Sequence, residues 1–393
     1  MRIFVALKNK SLEIMRVRKS KLSREFFIQH QFKIYIFFSL LLSFFSIASR
    51  LKFNGSIFGF DYNLFYPDGM YYSQKTLEFS GIDPHDAANI VANKYLNLNP
   101  GVSEYRGETE SQIVGRLLDK KSQIWNFVDS RLFYPFISSF VVNFFGINGM
   151  LIFPIIAFVT LLIGIQILGL KLQNPNLALI LILILTTSLT IPRWMISNLT
   201  DPILTAIFTF VPLIIIYVKN QKNLFSLLLI LIVTSTFTRF ALPIWFGILL
   251  VLYARKYSPI MILCTGLVTT LISIYPVLTS LPSVQNSYES NDNMLTQSMK
   301  ITMQSFKIIF IEIAQLAVLD RALLLLVLLA ICVSLFRISE VSSQMCISTI
   351  VGCTLLEIIP GVAGVNFRYY LPALPFMCWS ILANIRVKRH SIS

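Results

Sequence analysis

Charge is scarce in this chain. Asp, Glu, Lys and Arg make up 13% of its 393 residues, about half the share of an ordinary soluble domain. With 55% hydrophobic residues and a mean hydropathy of +0.70, that scarcity excludes a soluble globular chain. Histidine is rarer still. His30, His85 and His390 are scattered, which gives no spacing for a histidine-built metal cluster. The five cysteines, Cys264, Cys332, Cys346, Cys353 and Cys378, lie in or beside apolar runs without any Cys-x-x-Cys pairing. They read as small buried hydrophobes, not as disulfide partners or zinc ligands. Zinc-finger, RNP and helix-turn-helix signatures are missing, so the net charge of +14 does not point to nucleic acid. Internal or inverted repeats are missing too, which weighs against a transporter built from two related halves.

What is present is a series of apolar runs near or above the ~18 residues expected of a spanning helix. The first, 32–49, follows the basic stretch Lys8, Lys10, Arg16, Arg18, Lys19, Lys21 and Arg24 and lacks a convincing cleavage site. It reads as a retained helix with a cytoplasmic N-terminus. Residues 50–130 form the one polar stretch long enough to fold outside a bilayer, with short helices expected near 83–97, where Asp83-Pro84 suits a helix start, and 108–121. Residues 131–146 are short for a span and are expected to lie half-buried at the outer surface, with a tilted short span as the alternative. Spans then follow at 148–170, 177–192, 202–218, 223–238, 240–254, 258–279, 321–337, 343–360 and 368–385. This register puts Lys171, Lys219, Lys222, Arg255 and Lys256 inside, with Arg386, Lys388 and Arg389, as basic residues near helix ends require. An outer loop, Leu281 to Thr296, precedes a segment at 297–318 whose Gln297, Lys300, Gln304 and Lys307 share one helical face, as in a helix lying in the interface. The fold class expected is therefore an all-α polytopic membrane protein of about ten spans. Its parts are a cytoplasmic basic N-terminus (1–31), a transmembrane domain (32–386) with an outer loop and juxtamembrane helix inserted at 50–147, and a cytoplasmic tail (387–393).

The stretch Phe60–Tyr72, FDYNLFYPDGMYY, sets Asp61 and Asp68 among six aromatic rings. Pro67 and Gly69 fix Asp68 at a turn. An acid held there, just outside a membrane, suits a catalytic base as well as it suits an ordinary polar turn. Arg193, Arg239 and Arg368 each fall at an outer helix end, where orientation does not need them. The guanidinium fork is the natural partner of a phosphate, although each arginine can also snorkel to lipid headgroups. Asp201, in Asn198-Leu-Thr-Asp-Pro202, suits a helix cap and can face the same cavity. Glu312 and Glu357 sit in apolar surroundings near the expected outer boundary. Asn54-Gly-Ser56 and Asn198-Leu-Thr200 are formal glycosylation sequons that read as chance.

These residues together resemble the GT-C superfamily of membrane glycosyltransferases, which includes protein mannosyltransferases and aminoarabinose transferases. Asp68-Gly-Met-Tyr-Tyr72 is similar to the family's acidic motif after the first helix, and Arg131-Leu-Phe-Tyr-Pro135 to its Arg-Pro-Leu-Tyr-Pro-type helix start. Thr200-Asp201-Pro202 resembles its downstream acid, and Phe367-Arg-Tyr-Tyr-Leu-Pro-Ala-Leu-Pro375 its late arginine-tyrosine-proline stretch. The resemblance implies transfer of a sugar, with inversion, from a polyprenyl-phosphate donor to a glycan or lipid acceptor on the outer face of a bacterial inner membrane. Asp68, or Asp61 in second place, would be the general base. Arg368 first, then Arg239 and Arg193, would carry the leaving phosphate, with Arg131, Asp201 and Tyr72 as further substrate contacts. Glycine follows Asp68 where many relatives have a second acid. The pattern therefore names no cofactor with certainty and leaves room for a divalent cation. A polysaccharide polymerase or ligase, and a lipid or solute transporter, remain alternatives.

Overall fold

The computed structural model describes residues 31–51, 69–98, 109–121, 125, 128–285, 310–311, 313–358 and 367–385. Every regular element among them is helical. The chain runs α1 (Gln31–Leu51), α2 (Gly69–Phe79), α3 (Pro84–Leu98), α4 (Glu110–Leu118) and α5 (Phe133–Phe145), then a 3-10 turn at Gly146–Leu151. There follow α6 (Ile152–Lys171), α7 (Pro175–Thr187), α8 (Thr190–Met195), α9 (Asp201–Tyr217), α10 (Gln221–Thr238), α11 (Leu242–Ala254) and α12 (Pro259–Gln285). The last are α13 (Arg321–Phe336), α14 (Val341–Ile358), a 3-10 turn at Arg368–Ala373 and α15 (Leu374–Asn384).

Local chemistry explains many of the starts. Proline occupies the first turn of α7, α9, α11 and α15, where a missing N–H costs nothing. Asp83 accepts from His85 N–H at 2.8 Å at the head of α3, and Asn220 accepts from Lys222 N–H at 2.9 Å at the head of α10. The Thr109 N–H donates to Gln112 Oε1 at 2.8 Å before α4, one arm of a capping box.

Three helical stretches are long and apolar enough to cross a bilayer: Gln31–Leu51, Phe133–Lys171 and Gln221–Thr238. Shorter apolar helical stretches of 10–17 residues lie at Pro175–Thr187, Asp201–Tyr217, Leu242–Ala254, Pro259–Ser273, Arg321–Phe336 and Val341–Leu356. The lengths among the described residues therefore do not supply about ten full-length spans. The run expected at 177–192 stops at Thr187, because Ser188 turns the chain into the separate helix α8. The run expected at 368–385 opens as a 3-10 turn containing Pro372. Helix α12 continues to Gln285, past the expected loop start at Leu281. Of the segment 297–318, only 310–311 and 313–318 fall among the described residues, and they are helical.

The stretch Phe133–Lys171 is not one straight rod. Tyr134 OH donates to Met150 C=O at 3.0 Å, whereas sixteen residues of continuous helix would separate them by ~24 Å. The reversal occurs at Gly146, whose φ of +60° ends α5. This bend separates 133–145 from the following helix, as the short length of 131–146 suggested.

Packing among the apolar helices relies on small residues, because lipid offers no hydrophobic drive for helix association. Helix α11 lies on α14, and α9 lies on α6. At the first pair a Cβ on Gly352 would come within 2.7 Å of the Ile244 Cα, so only glycine permits the approach. One end of the bundle is tied by Asn174 Nδ2, which donates to Leu382 C=O at 2.8 Å and Ile385 C=O at 3.1 Å. Arg255 Nε donates to Gln344 Oε1 at 3.1 Å at that end, and the N-terminal part of α1 joins it through Tyr35 and Asn176. Lys171, Lys219, Lys222, Arg255 and Lys256 all belong to this end. The opposite end carries the candidate site.

Candidate functional site

Asp201, the first residue of α9 and 1% exposed, is the centre. Its Oδ2 accepts from Arg368 Nε at 2.8 Å, and its Oδ1 is paired with Arg239 Nη1. Arg239 and Arg368 are themselves 5% and 4% exposed. Arg239 follows the last residue of α10, and Arg368 opens the 3-10 turn before α15. Residues 167 positions apart are thus joined on one carboxylate. The expected capping role of this position is not what the carboxylate does: no side-chain cap bond forms at Thr200. Both carboxylate oxygens are engaged by guanidiniums instead.

Aromatic rings back the arginines. The Arg239 guanidinium lies 4.4 Å from the Tyr369 ring centroid, and those of Arg193 and Arg368 lie 4.9 and 5.8 Å from that of Trp194. Such contacts hold a cation in place at low desolvation cost. Arg131 Nη1 donates to Tyr72 OH at 2.9 Å, and Tyr72 meets Tyr134 edge-on at 6.2 Å. Arg131 and Tyr72 are near enough to act on the Arg239 charge. Burial lowers the Arg239 guanidinium to about 10, with Tyr369 opposing the shift and repulsion from Arg368 and Arg131 adding to it. It stays cationic at neutral pH. Arg50, near the end of α1, lies within electrostatic range of Arg193. Phe367, just before Arg368, adopts a left-handed φ of +68°, a strained conformation for a bulky residue. It is buried and stacks on Tyr370 with centroids 5.6 Å apart, which holds the backbone that aims Arg368.

The structure therefore brings Arg131, Arg193, Arg239, Arg368, Asp201 and Tyr72 to one end of the bundle. Asp61 and Asp68 lie outside the described residues, as do Glu312 and the Glu357 side chain. Gly69, next in the chain to Asp68, is described: it is buried and packs on the carboxamide of Asn198. Among the described residues no three His, Cys, Asp or Glu side chains gather where they could hold a metal ion.

Sequence reasoning missed three contributors. Trp194 is next in the chain to Arg193, which it supports, a signal that was available. Tyr369 is next to Arg368 but supports Arg239, far away in sequence, so its role was not legible. Asp320 was not legible either. It accepts from Ser188 Oγ at 2.5 Å, Thr190 N–H at 3.0 Å and Leu323 N–H at 3.2 Å, so it caps α13 and ties down the segment carrying Arg193. Asn198 reads as a sequon, yet it is fully buried and its Nδ2 donates to Tyr95 OH at 2.7 Å. It is closed to a glycosylating enzyme.

Fold and site define an all-helical protein with membrane-length helices and a buried arginine cluster organised on one aspartate. No family model, curated protein or solved structure matches the chain.

Proposed function

We propose that the chain is a membrane glycosyltransferase of the GT-C type, moving a sugar from a polyprenyl-phosphate donor to a hydroxyl acceptor on the non-cytoplasmic face. The observation that carries this reading is the Arg239–Asp201–Arg368 clamp, with Arg131 and Arg193 at the same end of the bundle. A cation-rich, largely buried site fits a phosphate, and a site among apolar helices fits a phosphate borne on a lipid. Asp201 serves as the internal counterion that keeps two guanidiniums aimed; with both oxygens engaged it is not the base. That role goes to Asp68, whose neighbour Gly69 is built into the same end, and Asp61 stands second.

In the proposed reaction the acceptor oxygen attacks the anomeric carbon as its proton passes to Asp68. The bond from that carbon to the phosphate oxygen breaks on the opposite side. The electron pair leaves with the polyprenyl phosphate, whose growing charge Arg368 and Arg239 stabilise. The proposal includes about ten spans, several of them short or tilted, both termini in the cytoplasm, and a bacterial inner membrane.

The test is transfer by purified protein from radiolabelled polyprenyl-phosphate sugars to crude envelope acceptors, comparing wild type with Asp68→Asn and Arg368→Ala. Loss of at least ~100-fold in both variants is expected from removal of a base and of a charge clamp. Transfer undiminished in Asp68→Asn removes the base. Movement of intact lipid across vesicles without sugar transfer replaces the enzyme with a transporter.

A further inference from the structure

We infer that Asn198 is a positioning residue that sets the register between the helix beginning at Gly69 and the arginine clamp at Asp201. On the glycosyltransferase reading, on which this inference rests, it thereby fixes where the helix that follows the proposed base in the chain begins relative to the arginines.

The geometry converges on one carboxamide. Asn198 is fully buried in the turn between α8 and α9. Its Nδ2 donates to Tyr95 OH on α3 at 2.7 Å and to Ser73 Oγ on α2 at 3.3 Å. Ser73 Oγ in turn donates to the Gly69 carbonyl at 2.8 Å. A methyl group on Gly69 would land inside the Asn198 amide, so the first residue of α2 meets that amide face with nothing between. Three residues further on is Asp201, a reach of at most ~11 Å along the chain. The turn itself is closed by Ser197 Oγ on Trp194 C=O at 2.8 Å and by Leu199 N–H on Ser197 C=O at 2.8 Å. A short, internally bonded, buried segment thus grips the start of α2 at one end and holds the clamp's counterion at the other. A displacement of ~1 Å between reacting groups is enough to cost about 100-fold in rate.

The experiment uses the full chain in detergent, with farnesyl phosphate as the binding probe and the radiolabelled transfer assay for turnover. Asn198→Ala leaves Asp201, Arg239 and Arg368 untouched. Farnesyl phosphate affinity should stay within about 3-fold of wild type while kcat falls at least ~10-fold with KM little changed, the mark of an interaction lost only in the transition state. Gly69→Ala should lower kcat similarly by pushing on the amide. The double variant Gly69→Ala/Asn198→Ala, in which the methyl has room, should be no worse than Asn198→Ala alone. Tyr95→Phe removes one hydrogen-bond partner without changing volume; a fall in kcat of about 3-fold with unchanged probe affinity is expected there.

Equal losses of probe affinity and turnover in Asn198→Ala would overturn the proposal, because an amide that is merely structural disturbs both. So would a fully active Gly69→Ala, or additive effects in the double variant. If the wild type neither binds farnesyl phosphate nor transfers sugar, the functional reading has failed. The coupling is then decided by melting temperature: Gly69→Ala lowers it and Asn198→Ala relieves the loss if the two residues are coupled, and additive losses refute it.

Discussion

Replacing Asp201 by asparagine keeps the shape of the clamp and removes its negative charge. The side chain is 1% exposed and is bonded to two guanidiniums that are themselves almost wholly buried. Breaking a buried pair by neutralising one partner costs about 3–5 kcal/mol, chiefly because the remaining charge is left uncompensated. At ~2–4 °C per kcal/mol for chains of about 200 residues, and less for longer ones, the melting temperature should fall by about 5–10 °C. The variant has one more uncompensated cation than wild type, so an added phosphate can replace the lost carboxylate. A ligand at about 100 times its Kd returns ~2.7 kcal/mol. The melting temperature of Asp201→Asn should therefore rise more steeply with inorganic phosphate than that of wild type, with chloride at equal ionic strength as the control. Scanning fluorimetry in detergent reads both effects. A variant that melts within ~1 °C of wild type, or whose melting ignores phosphate, would show that the clamp is not an anion site held by Asp201.

Other outcomes follow from individual contacts. Trp194→Ala removes the ring shared by Arg193 and Arg368 and should weaken farnesyl phosphate binding about 3- to 10-fold, the scale of one or two cation–π contacts, as read by titration. Asp320→Ala strips the acceptor from Ser188, Thr190 and Leu323 and should cost about 2–4 kcal/mol, combining a lost cap with unsatisfied buried donors; an unchanged melting temperature would contradict it. Gly352→Val drives a side chain into the Ile244 backbone and should destabilise by about 1–3 kcal/mol or more through overpacking, visible in the same assay. Expression in a glycosylating host should leave Asn198 unmodified, because its amide is buried and hydrogen-bonded; a glycan mapped there by mass spectrometry would unseat both this placement and the positioning role.

Part of this was legible without coordinates. The helix start at Asp83-Pro84 follows from proline in the first turn and from a side chain that accepts a backbone N–H, as Asp83 does from His85. A helix also starts at Asp201-Pro202, but without a side-chain cap. The short run 131–146 stood apart from the next helix by its length, and the Tyr134–Met150 bond bears that separation out. Span number was less legible. Hydropathy counts apolar residues and does not register that Ser188 breaks one run, or that Pro372 turns the head of another into 3-10 helix.

By itself the sequence determined an all-helical, membrane-compatible chain, because period, composition and charge act locally and each residue carries its own contribution. It also marked Arg193, Arg239, Arg368 and Asp201 as unusual, because charge in an apolar chain is conspicuous wherever it falls. Only the tertiary structure decided that Asp201 belongs to the arginines and not to its own helix end, and that Asn198 touches Gly69 across more than a hundred residues of chain. Those pairings depend on which helix ends meet, and that is settled by packing between distant segments, through small residues such as Gly352 that let backbones approach.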